Sequence, residues 1–270
     1  MAGERIPLEG MLNTRDLGGY RTGENAVIKK KRVIRSGGLF EATKKDLQVL
    51  QEEYALKQVV DFRTATERGQ KPDPQMAGVK YVVDEILHEA QMGITHENEN
   101  RPTELVEAMI LMCREVGEAG SQYLGRLYPK LVTDDNCIRG YRRFFELLLE
   151  QKEGALLYHC SEGKDRVGTG TALFLSALGV EREVLLEDYL LTNCYTEERR
   201  MQVCELIRKR VPKEPEIAEH FLILNSVHQS YLESVFETID RLYGSMDRFL
   251  REQMGLNEKR LSSLRDNYLE

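Results

Sequence analysis

The stretch His159-Cys160-Ser161-Glu162-Gly163-Lys164-Asp165-Arg166-Val167-Gly168-Thr169-Gly170 constrains this chain more than any other. Before it runs Ala155-Leu156-Leu157-Tyr158, an apolar segment of the length of a buried strand. After it runs Ala172-Leu173-Phe174-Leu175-Ser176-Ala177-Leu178, which reads as a buried helix. A strand ending in a cysteine, a short glycine-containing loop and an arginine entering a helix bring backbone N–H groups and the positive helix end to one point. An anion is stabilised there. The same field favours thiolate over thiol, which turns a cysteine into a nucleophile.

Cys-to-Arg spacing alone carries none of this, because the chain contains its own controls. Cys137 and Arg143, Cys194 and Arg200, and Cys204 and Arg210 stand at the same separation as Cys160 and Arg166. All three read as parts of helices, where residues six apart point to different faces and the arginine cannot fold back over its cysteine. Only Cys160 has the strand before it, the glycine turn within and the helix after.

At 270 residues the chain suffices for one large α/β domain, or one domain with a helical appendage. A net charge of -7 argues against nucleic acid as the main partner, since phosphate-backbone binding needs a positive face. Two basic clusters, Lys29-Lys30-Lys31-Arg32 and Arg208-Lys209-Arg210 with Lys213, read most simply as solvated surface. The sharper alternative has one of them guiding an anionic substrate or headgroup. Five unevenly spaced cysteines do not form a disulfide framework, and a reducing cytoplasm suits them. Residues 1–9 lack the apolar core of a secretion signal and no run reaches membrane-spanning length, so stable membrane insertion is not expected. The oligomeric state is not written in the sequence.

Segments 32–36, 57–62, 79–84 and 155–159 read as strands. Thr43 caps a helix reaching about residue 54, with Leu47, Val49 and Leu50 on its apolar side. Strands separated by helical stretches predict an α/β fold, a mainly parallel central sheet flanked by helices, whose ligands bind at the carboxyl ends of the strands. Cys160 stands at such an end, which agrees with the motif without depending on it. Residues 6–20 read as an irregular arm. Helices over 103–116 and 121–131 form an insertion, 88–133, that is either plain core or a lid over the site. The remainder, 181–270, reads as helical, over 181–192, 195–210, 214–223, 226–242, 245–254 and from 258 onward. Gly179, Gly244, Gly255, Pro212 and Pro215 punctuate it. The whole of 1–270 is read as one domain.

Cys160 is the candidate nucleophile on phosphorus, forming a thiophosphate ester that water later hydrolyses. Phosphoryl transfer passes through a loose transition state with charge on three equatorial oxygens, so the site mainly needs positioning and positive potential. Arg166 supplies a planar clamp on two of those oxygens. Gly163 and Gly168 let the loop turn with its N–H groups inward, and Ser161, Glu162, Lys164 and Val167 complete the substrate-binding loop. Asp165, inside the cradle, is the best candidate for protonating the leaving oxygen; Asp61, Asp84, Asp134 and Asp135 are the other acids. Lys164 is placed to hold a second anionic group. Asp61 with Arg63 and Glu67 reads as structural ion pairs near the pocket rim, and His159 as a hydrogen-bonding orienter of the loop. A small buried hydrophobe is the bland reading of Cys160, and it leaves Gly163, Lys164 and Arg166 unexplained. Adjacent His159 and Cys160 also suit a metal, but no second ligand pair stands at suitable spacing. Neither a metal nor another cofactor is expected.

These residues resemble the cysteine-dependent protein tyrosine phosphatase superfamily. More narrowly, they resemble its atypical bacterial branch of tyrosine and lipid phosphatases, with the signature H-C-x-x-G-K-D-R-x-G. Asn13-Thr14-Arg15-Asp16-Leu17-Gly18-Gly19 resembles the N-terminal signature of that branch. Val33-Ile34-Arg35-Ser36, and Val60-Asp61-Phe62-Arg63 with Glu67, resemble its early strand motifs, and the segment from Tyr243 to Leu256 its helical end. The likeness covers most of the chain and is weakest over 88–130. It implies a phosphatase fold and hydrolysis of phosphotyrosine through a phosphocysteine, with phosphoserine, phosphothreonine and phosphoinositides as further substrates. Asp165 is implied as the general acid, replacing a separate acid loop. A phosphoinositide or inositol phosphate phosphatase is the alternative, suggested by Lys164 and the basic clusters. A phosphate-binding module with little catalysis is the third reading. It leans on Val167 alone, where the family commonly carries a hydroxyl that eases breakdown of the phosphoenzyme.

Overall fold

A computed structural model describes residues 3–87 and 105–270; the first part of the predicted insertion, 88–104, lies outside the described residues. In chain order the strands and helices are β1 (Glu4–Arg5), β2 (Arg15–Asp16), β3 (Val33–Ser36), α1 (Lys44–Glu52), β4 (Leu56–Asp61), α2 (Ala65–Gln70) and β5 (Lys80–Val83). Next come α3 (Leu105–Val116), α4 (Gly120–Lys130), α5 (Asp135–Glu150), β6 (Ala155–His159) and α6 (Asp165–Leu178). The C-terminal part adds α7 (Arg182–Tyr195), α8 (Glu197–Arg210), α9 (Glu216–Asn225), α10 (Gln229–Tyr243), α11 (Met246–Glu252) and α12 (Glu258–Tyr268).

The sheet runs β1-β2-β3-β6-β4-β5. Its four longer strands are parallel, as predicted. β1 and β2 add an antiparallel edge within and beside the arm that the sequence presents as irregular. Pairings of two residues with exposed Glu4 and Arg5, and buried but charged Arg15 and Asp16, carry no apolar alternation from which a strand could be read.

Both faces of β3, β4 and β6 are covered, so their successive residues feed two different cores. Val33, Val60, Leu156 and Tyr158 pack with α5 and α6, whereas Ile34, Val59, Ala155 and Leu157 pack with Leu50 of α1 and Ile6, Leu8 and Met11 of the arm. Complete burial of each such Val or Leu contributes roughly 1.5–3 kcal/mol. A third, smaller core joins α3 to α8 and α9 through Ile110, Val203, Ile207 and Phe221.

Local signals set several boundaries. Thr43 caps α1 as predicted, its hydroxyl accepting from Asp46 N while the Asp46 carboxylate accepts from Thr43 N. Thr64 and Glu67 repeat that arrangement at the start of α2, a helix too short to show a period. Cys137, Cys194 and Cys204 all lie within helices, which bears out their separation from Cys160.

Candidate active site

Ser36, His159 and Asp61 stand in one row across β3, β6 and β4, and the chain leaves this row into loop 160–164. Gly163 has φ +64°, and a Cβ there would lie 2.6 Å from backbone atoms of Ser36 and Gly37, so glycine alone lets the loop cross the end of β3. Its carbonyls are tied from behind. Gly38 N donates to Ser161 O at 3.0 Å, Asn13 Nδ2 to Gly163 O at 2.8 Å and to Glu162 O at 3.3 Å, and Arg35 Nη2 to Gly163 O at 2.8 Å. A planar trans peptide that turns its carbonyl backward turns its N–H forward. The first helical bond of α6, Gly168 N to Lys164 O at 2.9 Å, leaves the preceding N–H groups outside the helix ladder. Gly168 thus lies inside α6 with its own N–H already used.

Beneath the loop, the fully buried Arg15 and Arg35 share one carboxylate, Asp188 of α7, at 3.2 and 2.5 Å. Tyr20 OH donates to the same group at 2.8 Å. Burial works against an ionised Asp188, but the two guanidinium groups hold its carboxyl below the usual range. Two cations sharing one anion leave positive potential directly under the loop.

Cys160, directly after β6, is 2 % exposed. Arg166, in the first turn of α6, is bound in fork geometry by Glu67, with Nη1–Oε2 and Nη2–Oε1 both at 2.7 Å. Glu67 also accepts from Ser161 Oγ and from Thr64 N. Its burial alone would raise its carboxyl, yet Arg166, Ser161 and Thr64 bring it down to about 2. The guanidinium is correspondingly stabilised in its charged form, by Glu67 and by Cys160, against the cost of burial.

His159 is fully buried, its Nδ1 3.3 Å from Cys160 O and its Nε2 3.1 Å from Asp73 Oδ2. Asp61, Asp73 and His159 bring ligand atoms within 4.8 Å of one another. Arg63 occupies that position: its Nη2 lies 2.7 Å from Asp61 Oδ2 and 2.6 Å from Asp73 Oδ2. Asp61 and Arg63 therefore form the structural ion pair that the sequence suggests. Asp165 Oδ1 accepts from Tyr128 OH of α4 at 2.5 Å. Lys164 Nζ lies 3.7 Å from Asp165 Oδ2 and donates to Leu224 O of α9 at 2.5 Å. Val167 is wholly buried in the main core. Of the other acids, Asp84 follows β5 with its N–H on Asp61 O at 2.9 Å, Asp134 caps α5 and Asp135 opens that helix. Buried beside Arg143 and Glu146, Asp84 is pushed up to about 7 by desolvation.

Residues 6–270 match the sequence profile of the tyrosine phosphatase family. The chain belongs to that family. A provisionally named tyrosine-protein phosphatase of Cupriavidus necator is 30% identical over 268 residues, covering 98% of this chain and 88% of its own. The triple specificity protein phosphatase PtpB of Mycobacterium tuberculosis is 30% identical over 159 residues, 56% of each chain. A tyrosine-protein phosphatase of Nostoc commune is 28% identical over 138 residues, 51% of this chain and 40% of its own.

The phosphatase thus gathers most of its sequence-predicted site residues around one loop, and adds partners that no motif announced. The sequence presents Glu67 among ion pairs with Asp61 and Arg63, whereas its carboxylate binds Arg166, 99 positions away. Asp188, Tyr128 and Tyr189 carry no sequence signal beyond helical periodicity. The basic clusters are engaged in the fold: Lys29 donates to Asp266 O, Arg32 to Lys152 O, and Lys209 and Arg210 pair with Glu205 and Glu107. Among the described residues, no helix is long and apolar enough to cross a membrane.

Proposed function

We propose that this tyrosine phosphatase belongs to the H-C-x-x-G-K-D-R-x-G branch and hydrolyses phosphotyrosine through a phosphocysteine. The observation that carries the reading is Arg166 locked by Glu67 beside Cys160, with the carbonyls of Ser161, Glu162 and Gly163 bound by Gly38, Asn13 and Arg35. Cys160 Sγ attacks phosphorus as the P–O bond to the tyrosine breaks, and Asp165 gives its proton to the leaving oxygen. Loop amides and Arg166 bear the charge on the equatorial oxygens. Water then attacks phosphorus, Asp165 takes up its proton, and the sulfur leaves as thiolate. Ser161, Glu162, Gly163, Lys164 and Val167 contribute backbone to the cradle.

Phosphoserine and phosphothreonine extend the substrate range, with support from the relative named for triple specificity. Phosphoinositides are the weaker alternative, because Lys164 is tethered to α9 and the basic clusters have intramolecular partners. Residues from the arm, β3 and α7 join in supporting one loop, which favours a single domain that includes the helical C-terminal part. The described part of the insertion borders the recess above Ser161 and Glu162 through Met109, opposite Phe40 and beside Arg199, which pairs with Glu41 at 3.2 Å. We assign it a covering role there. Five unpaired cysteines support a reducing, cytoplasmic setting.

Cys160→Ser is expected to abolish turnover of an aryl phosphate while inorganic phosphate still binds by calorimetry. Retained turnover would overturn the proposal. Parallel assays on phosphotyrosine, phosphoserine and phosphoinositide substrates then separate the substrate classes.

A further inference from the structure

Two tyrosines outside every sequence motif form a chain that ends on the side chain of Asp165. Tyr128 is completely buried and donates to Asp165 Oδ1 at 2.5 Å. Its oxygen is in turn hydrogen-bonded to Tyr189 OH of α7. Tyr189 meets the Tyr128 ring edge-on at 6.1 Å, and Tyr231 of α10 stacks on its other side at 5.4 Å. Gly168 makes room for this arrangement: a Cβ there would stand 3.0 Å from the Tyr189 ring. Four helices thus fix one carboxyl group.

We infer that Tyr128, oriented by Tyr189, is a positioning residue for Asp165 that reserves Oδ1 as an acceptor and leaves Oδ2 to carry the transferable proton. This rests on Asp165 being the general acid. An ionised carboxylate only accepts, so the Tyr128 proton points to it, and Tyr189 then donates to the Tyr128 oxygen. Burial and the charge of Asp165 push both phenols well above their ordinary titration range, so they serve as donors and never as bases. When Asp165 is protonated, Oδ1 remains the acceptor and the proton sits on Oδ2.

Other groups facing Asp165 do not depend on this bond. Lys164 Nζ lies 3.7 Å from Oδ2, and the charges of Arg166 and Glu162 and the phenols of Tyr123 and Tyr231 act on it through space. All of them persist in Tyr128→Phe, which removes one oxygen from a packed ring.

The test compares Tyr128→Phe, Tyr189→Phe and Asp165→Asn on a nitrophenyl phosphate, a good leaving group, and on phenyl phosphate, a poor one. Tyr128→Phe is expected to lower kcat about tenfold on phenyl phosphate and under about twofold on the nitrophenyl ester, the difference a mispositioned acid produces. Tyr189→Phe should widen the gap between the two substrates in the same direction by less, and keeps the test open should Tyr128→Phe fail to fold. Equal losses on both substrates in the tyrosine variants while Asp165→Asn is selectively poor on phenyl phosphate overturn the positioning role. Equal losses in Asp165→Asn overturn the acid assignment itself, and this inference with it.

Discussion

Replacing Glu67 by Gln isolates the contact on which the geometry of Arg166 depends. The substitution keeps the size of the side chain and removes one charge and one of two acceptor oxygens, each of which binds a guanidinium nitrogen at 2.7 Å. Folding lowers the Glu67 carboxyl from an ordinary 4.5 to about 2. That gap corresponds to roughly 3 kcal/mol. Because only 15% of the side chain is exposed, solvent screens little of it. A carboxyl depressed in the folded state contributes fully above its unfolded value, and the contribution fades as pH falls toward the folded one. Wild type should therefore exceed Glu67→Gln by about 3 kcal/mol at pH 7 and by about 1.4 kcal/mol at pH 3. Urea denaturation of both proteins at the two pH values measures the difference directly, and other titrating groups cancel between them. At pH 7 the freed guanidinium should also lower kcat/KM by roughly a hundredfold, the order of loss that follows a displacement of about 1 Å in a reacting constellation. A stability gap that is the same at both pH values, or below about 1 kcal/mol at pH 7, would refute the assignment of that depression to a buried, functional pair.

Gly163→Ala forces a side chain into a φ of +64° and against the backbone of Ser36; a loss of more than about 2 kcal/mol is expected in thermal or urea unfolding, together with loss of phosphate binding. Unchanged phosphate affinity would mean that the loop has another way across β3. Asn13→Ala releases the carbonyls of Glu162 and Gly163, and should cost about 1–3 kcal/mol of stability and weaken phosphate binding. Calorimetry on the variant checks this, and wild-type affinity would confine Asn13 to a purely structural role.

Local chemistry made much of this molecule legible before any coordinates. Apolar runs of strand length reveal β3, β4 and β6, which are buried on both faces and need no alternation, and β5 at the sheet edge, which buries Val82. Caps and glycines gave α1 and the ends of the C-terminal helices, Gly179 among them with φ +88°. Cys160, Arg166 and the glycine turn followed from their order along strand, loop and helix. Gly168, which the sequence presents as a loop glycine, lies inside α6 against the Tyr189 ring, because sequence shows only that a residue is small, not which ring needs the space. The short strands β1 and β2 are hidden because their pairing is two residues long, and the services of Asn13, Asp188 and Tyr128 because each is defined by a partner in another element, 150, 153 and 37 positions away. The cluster of Asp61, Asp73 and His159 shows the converse. Its ligand geometry suits a cation, and the cation is Arg63, a neighbour in sequence.

One division of labour explains why so many distant segments meet here. A loop that binds a dianion must present N–H groups together, and their mutual repulsion, with the conformational freedom of glycine, would scatter them in the absence of a ligand. In this phosphatase the carbonyl side of the same peptides is held instead, by Gly38, Asn13 and Arg35. The arginines beneath the loop are anchored in turn on Asp188, and the arginine beside it on Glu67. Arg166 thus has its own carboxylate in Glu67, and Arg15 and Arg35 share Asp188, so each buried guanidinium is ion-paired by the fold itself. The loop's shape likewise rests on the fold, and Asn13 and Arg15 of the N-terminal arm serve that support, Asn13 through the loop carbonyls and Arg15 through Asp188.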